Sequence, residues 1–215
     1  MTTSQGKRPP FVAIAGNIGA GKTTFTKLLS ERFGWEPRYE RVVENPYLAD
    51  FYKDMRKWAF HSQIFFLTHR FRDLLDIQDR QRPCVQDRTI YEDAEIFARN
   101  LHEQGYMDER DFATYHALYT TIVGSLPPPD LIVYLRASPW TLLSRIRMRG
   151  RDFERQIDRE YLLQLHTAYE KWIRKASQQY PLMIVETDQF DVYRDEDWRE
   201  GIFEEIARRV GQPIS

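Results

Sequence analysis

The eight residues from Gly16 to Thr23, Gly-Asn-Ile-Gly-Ala-Gly-Lys-Thr, satisfy the pattern G-x-x-x-x-G-K-[ST] and constrain the fold more than any other stretch of the chain. The pattern carries meaning only where a strand runs into it and a helix runs out. Here the apolar run Phe11-Val12-Ala13-Ile14-Ala15 precedes it and the helical pattern Phe25-Thr26-Lys27-Leu28-Leu29 follows. Glycines let successive backbone N–H groups turn toward phosphate oxygens, and the helix N-terminus adds partial positive charge. The loop Gly16, Asn17, Ile18, Gly19, Ala20, Gly21, Lys22, Thr23 and Thr24 is therefore expected to cradle a nucleoside triphosphate such as ATP. Lys22 would reach the β/γ-phosphates and the Thr23 hydroxyl would ligate Mg²⁺.

Further strand-like apolar runs at 40–43, 83–86, 131–135 and 182–186 alternate with helical patterns at 21–33, 47–80 (with an early break), 92–104, 109–125, 138–149, 158–178 and 194–209. That alternation predicts an α/β fold, a parallel sheet with helices on both faces. No repeat, low-complexity tract or linker divides residues 1–215, so a single domain is expected. Lys and Arg total 31 against 32 Asp and Glu, a net charge of −1, which gives no global attraction to nucleic acid or anionic membrane. The single cysteine, Cys84, suits a reducing compartment. The first ten residues hold no apolar core of a secretion signal, and no run approaches 18 apolar residues. A cytoplasmic protein is the expectation.

Several residues speak to a second substrate. Phe60, Gln63, Leu67, Arg70, Leu74 and Ile77 follow helical spacing, which sets an amide and a guanidinium on an apolar face, with Phe66 alongside. Such groups either tilt out to water or are placed to read a planar polar edge, between aromatic walls from Phe60, Phe66 and Phe97. Glu44 follows Val42-Val43, and Asp87-Arg88-Thr89 follows Cys84-Val85-Gln86. Acids beyond strand ends face the crevice where open α/β sheets bind ligands, although either one can equally be a helix cap. One carboxylate there could accept a hydroxyl proton and another hold Mg²⁺. The run Arg145-Ile146-Arg147-Met148-Arg149-Gly150-Arg151 concentrates positive charge at a helix end that Gly150 terminates. Read alone it is a solvated basic terminus; beside a triphosphate it is an arginine lid over 145–155.

Taken together these motifs resemble the deoxynucleoside kinase family over essentially the whole chain. Tyr52 stands eleven residues before Gln63 and Arg70 seven after it. Asp87-Arg88-Thr89-Ile90-Tyr91-Glu92-Asp93 and Arg145, Arg149, Gly150, Arg151, Glu154 reproduce two further family motifs. The resemblance implies a five-stranded parallel sheet, an ATP-dependent transfer to the 5′-hydroxyl of a deoxynucleoside, and a homodimer built on a helix pair. It implies that Glu44 is the general base and that Arg88 orients the hydroxyl and the transferred phosphoryl. Asp87 would join Thr23 on Mg²⁺, and Tyr52 with Glu154 would bind the sugar 3′-hydroxyl. Gln63 would read the base, Phe97 would stack on it, and Arg70 with Asp93 would pair at its far edge. Gln189 and Phe190 would meet the donor base. Deoxyadenosine and deoxyguanosine are expected first, deoxycytidine next and thymidine last. Phe66 departs from the small residue of cytidine-type members and should reshape the pocket.

Two other readings compete. A nucleoside monophosphate kinase of thymidylate kinase type shares the loop and lid but needs extra basic residues for an acceptor phosphate. A non-catalytic nucleotide-binding protein of the same fold would tolerate loss of Lys22, Glu44 or Arg88, and all three are present. No Asn-Lys-x-Asp motif supports a GTPase switch.

Overall fold

The computed structural model describes residues 8–42, 44–152, 154, 157–190 and 192–213. Along the chain run β1 (Phe11–Ala15), α1 (Lys22–Phe33), β2 (Glu36–Arg38), α2 (Leu48–Lys53), α3 (Met55–Gln78), β3 (Cys84–Asp87) and α4 (Ile90–Glu92). A π-helical segment, Asp93–Ala98, leads into α5 (Arg99–Glu103), α6 (Glu109–Ser125), β4 (Leu131–Arg136), α7 (Pro139–Arg149), α8 (Arg159–Ala176), β5 (Leu182–Glu186) and α9 (Glu196–Val210). The five strands form one parallel sheet in the order β2-β3-β1-β4-β5.

β1 lies at the centre because every one of its residues is apolar and its two faces meet two separate cores. Phe11, Ala13 and Ala15 pack into one, against α3, α6 and α8, while Val12 and Ile14 pack into the other, against α1, α7 and α9. A strand covered on both faces has no polar alternation to show. The chain leaves β1 toward β2 and returns by β3, so the carboxyl ends of β1 and β3 open a crevice where the strand order reverses.

The strand expected at 40–43 is not one. Val42 lies in a turn, Val43 is outside the described residues, and the edge strand is the polar triplet Glu36-Pro37-Arg38. Pro37 cannot donate to a ladder on its second side, which an edge position does not require. The early break in the long helical pattern falls at Asp54, whose extended backbone separates α2 from α3 and whose side chain accepts from the Lys57 N–H at 3.1 Å. Gly150 ends α7 in the left-handed conformation at φ 67°, as its place after the arginine run predicts.

Candidate active site

The phosphate loop takes its shape from backbone demands. Gly19 has φ 84°, and a Cβ there would lie 2.8 Å from the Leu142 carbonyl oxygen, so only glycine lets α7 approach the loop. Lys22, in the first turn of α1, is buried and donates to the carbonyls of Gly16 (2.7 Å) and Asn17 (3.1 Å). Burial, and then the Arg88 charge, push its ammonium down to about 8. The Thr23 hydroxyl donates to Asp87 Oδ2 at 2.6 Å, while Asp87 Oδ1 is buried with no hydrogen-bond partner. Burial raises the Asp87 carboxyl against the pull of Lys22.

A cavity of about 680 Å³ runs from this loop to α3. Ile18, Gly19, Ala20, Gly21, Lys22, Thr23 and Thr24 line its loop end; Tyr52, Gln63, Phe66, Arg88, Asp93 and Phe97 line the far end. Arg145, Arg149, Arg151, Glu154 and Phe190 line it from the side of α7 and β5. Its volume falls in the range of small-molecule sites, and its two ends are of opposite character: backbone N–H groups at one, side chains from three helices at the other.

Glu44 is absent from this cavity. Its side chain is 57% exposed and pairs with Arg41 at 3.2 Å on the surface. The carboxylate inside is Glu40, which follows β2 by two residues and lines the cavity. Glu40 Oε1 lies 2.5 Å from Arg88 Nε and 3.4 Å from Arg70 Nη2. Burial alone would raise its carboxyl, but Arg88, Arg70 and Lys22 outweigh it and hold the group below its ordinary value, as a carboxylate. The valines Val42-Val43 carry a strand signal that the fold does not use, so Glu44 lies beyond no strand end, and the acid that follows the observed edge strand is Glu40.

Arg88 is the one non-glycine among the described residues with positive φ, at 73°, a strained conformation of the kind that concentrates at functional sites. Its N–H donates to the Ile14 carbonyl at 2.9 Å, which locks the turn against β1. Its guanidinium lies over the Phe97 ring, 4.4 Å from the centroid. Arg70 does not line the cavity. Its three nitrogens face Asp93 Oδ2 (3.2 Å), the Asp87 carbonyl (3.0 Å) and Glu40 Oε1 (3.4 Å), so it braces the site from behind. Asp93 opens the π-helical segment. Burial raises it to about 6, with Arg70 opposing. Gln63 is buried with its Oε1 lacking a partner, on the cavity wall.

In the stretch expected to form a lid, Arg149 grips Glu154 through two bonds of 3.0 and 2.6 Å, and Arg151 adds a third at 3.3 Å. Residues 153 and 155 of the expected lid lie outside the described residues. Arg145 instead ties the loop to the residue just past β5, donating to Ala20 O (3.4 Å) and to Thr187 Oγ1 (3.1 Å) and O (2.6 Å). Burial, then Glu154, raise the Tyr52 phenol. Phe190 stacks on Trp198 at 4.6 Å between centroids, but Gln189 is exposed and off the cavity wall. Gly16 and Asn17, at the start of the loop, do not line the cavity. Ser62, Tyr161, Tyr193 and Trp198 are lining residues that no sequence pattern singled out.

The deoxynucleoside kinase family model matches residues 12–211. The chain is similar to the deoxyadenosine/deoxycytidine kinase of Bacillus subtilis (strain 168), at 39% identity over 198 residues, covering 91% of each chain. It is also similar to the deoxyguanosine kinase of the same organism, at 38% identity over 209 residues, 95% of this chain and 98% of that one. Among solved structures, deoxyadenosine kinase from M. mycoides with bound dATP aligns with a TM-score of 0.81 at 34% identity, covering 91% of this chain and 98% of that one. Loop, buried carboxylate–arginine pair and cavity thus sit in the frame those proteins share, and the chain belongs to the deoxynucleoside kinase family, a family of phosphotransferases.

Proposed function

We propose that this protein transfers the γ-phosphoryl group of ATP to the 5′-hydroxyl of deoxynucleosides for nucleotide salvage, and that Glu40 rather than Glu44 is the base. The observation that carries the reading is the Glu40 carboxylate, ionised by its arginines, on the wall of the cavity that Lys22 and Gln63 also line. Phosphoryl transfer depends on positioning and charge more than on covalent chemistry. Lys22, Arg149 and Arg151 spread positive charge over the donor phosphates while Arg88 aligns the hydroxyl with the transferred group. Glu40 accepts the hydroxyl proton as the O–P bond forms, and ADP leaves with the electrons of the bond that breaks. An ordinary carboxylate suffices for a late proton transfer.

The orphaned Asp87 Oδ1 beside Thr23 supports a Mg²⁺ site at these two side chains. Magnesium favours one or two protein oxygens plus substrate phosphates and waters, and when bound it neutralises charge on those phosphates. Tyr52 and Glu154, near enough for the Glu154 charge to raise the Tyr52 phenol, suit the sugar 3′-hydroxyl.

Base preference follows from the polar atoms available. Gln63 can accept through its unpartnered Oε1 and donate through its amide, and Asp93 can accept from an exocyclic amine. Adenine, guanine and cytosine carry such an amine and thymine does not, so deoxyadenosine and deoxyguanosine are preferred, deoxycytidine is accepted and thymidine is poorest. Phe66 narrows the room for a base. Phe190 and Trp198 wall the donor side. The full engagement of Arg70 by Asp93, Asp87 and Glu40 disfavours a monophosphate acceptor, which would need spare cations at that end. The reading also carries a homodimer on a helix pair in the cytoplasm; the groove of about 590 Å³ beside α8, with Ile96, Leu163 and Trp172 among its walls, offers a surface for it.

Coupled ADP release measured with the four deoxynucleosides and their monophosphates tests the proposal. Turnover with the three amine-bearing nucleosides supports it, and turnover with monophosphates alone overturns it.

A further inference from the structure

A buried polar joint between Glu92 and Tyr169 is not used by the mechanism above. Glu92 is 0% exposed. Its Oε1 accepts from the Gly16 N–H at 2.9 Å and lies 2.8 Å from the Tyr169 hydroxyl, and its Oε2 accepts from the Thr89 N–H at 2.7 Å. The same hydroxyl lies 2.8 Å from the Gly16 carbonyl oxygen and accepts from Arg88 Nη1 at 3.2 Å. One carboxylate and one phenol therefore join the first glycine of the phosphate loop to the arginine at the opposite side of the crevice.

The joint has two settings. A phenol holds one proton, and this one has two acceptors in reach, Glu92 Oε1 and Gly16 O. Gly16 O in turn has two donors in reach, Tyr169 and the Lys22 ammonium at 2.7 Å. When Lys22 turns to a phosphate, the Tyr169 proton can swing to Gly16 O and keep that carbonyl paired. Glu92 then retains the Gly16 and Thr89 N–H groups, and the phenol oxygen presents a changed lone-pair direction to Arg88. Rotating a hydroxyl is cheap compared with leaving a buried carbonyl unpaired. Tyr169 is fully buried and does not line the cavity, so it acts through its neighbours.

Resting on the kinase reading, we propose that Tyr169, anchored by Glu92, is a positioning residue that couples phosphate occupancy of the loop to the orientation of Arg88. Tyr169→Phe removes the hydroxyl and keeps the ring, which stacks on Tyr134 at 5.7 Å and meets Phe97 edge-on at 6.3 Å. The expected result is ATP affinity by calorimetry weaker by roughly 5- to 10-fold and kcat lower by about 10-fold. The KM for the nucleoside should move less than about 2-fold. Unchanged ATP affinity and kcat in folded Tyr169→Phe overturns the proposal, as does a lower Tm with unchanged kinetics, which would make the hydroxyl merely structural. The wild-type protein supplies a second readout should that variant not fold. With ¹³Cζ-tyrosine labelling, the Tyr169 resonance should shift when ATP is added without nucleoside, and a resonance that stays in place overturns the coupling. Both binding measurements are independent of turnover, so failure to phosphorylate any nucleoside would sink the kinase reading while still leaving the joint tested.

Discussion

Replacing Glu40 by Gln removes a charge and a proton acceptor while keeping the shape of the side chain. Loss of a general base lowers kcat by roughly 10²- to 10⁴-fold, which corresponds to about 3–5 kcal/mol in the barrier. The surroundings set the accompanying cost in stability. Arg70 keeps Asp93 and the Asp87 carbonyl, while Arg88 keeps the Tyr169 hydroxyl, the Phe97 ring and Glu92 at 4.0 Å. Breaking a buried ion pair outright costs about 3–5 kcal/mol, and glutamine retains an acceptor oxygen, so roughly 1–3 kcal/mol is expected. For a chain of this length that is a fall in Tm of no more than ~12 °C. Glu44→Gln is the matched control. Its pair with Arg41 joins side chains 57% and 47% exposed, and contacts of that kind contribute about 0–1 kcal/mol. Coupled ADP release and ATP affinity, measured on both variants at a temperature where each is folded, decide the matter. Glu40→Gln should bind ATP and turn over at least about 100-fold slower, with Glu44→Gln within about twofold of wild type. A greater loss in Glu44→Gln, or full activity in Glu40→Gln, would refute the assignment.

Asp93→Ala should relax the preference against thymidine, and an unaltered ranking of the four deoxynucleosides would remove Asp93 from base reading. Because burial lifts Asp93 to about 6, kcat/KM for deoxyadenosine should fall as pH drops through 6, and Asp93→Asn should erase that limb. A raised carboxyl binds its proton more tightly in the folded state, so its ionisation costs stability as pH rises from the unfolded value to 6. Lys22, pushed down to about 8 by burial and Arg88, gives the opposite limb: kcat/KM for ATP should decline as pH rises through 8. The folded protein releases this proton before the unfolded chain does, so from Lys22 the same rise in pH adds stability, and the lost activity is not unfolding. A profile flat from pH 7 to 9.5 would refute it.

Much of this architecture was legible because it is written in strong local signals. The phosphate loop, the apolar strands β1, β4 and β5, the helix at Glu109–Ser125 and the stop at Gly150 all follow from turn chemistry, period and capping. The edge strand was not legible. Glu36-Pro37-Arg38 owes its extended form to pairing with β3 rather than to its own residues, and the nearby valines carried a false strand signal. That misplacement drew the expectation to Glu44 and passed over Glu40, the acid that lines the cavity. Helical spacing located Gln63 and Arg70 on one face but could not tell that Arg70 turns behind the wall into a bed of carboxylates. The π-helical register of Asp93–Ala98, which brings Asp93 and Phe97 to the same cavity, depends on packing between α3, α6 and α8 and leaves no mark in the sequence.

The most direct test of the account is ³¹P NMR of the protein with ATP, Mg²⁺ and deoxyadenosine. The account predicts a monophosphate ester resonance coupled to the 5′-methylene protons, growing in step with ADP. ADP and inorganic phosphate without that ester, or an ester formed only when the acceptor already carries a phosphate, would contradict it.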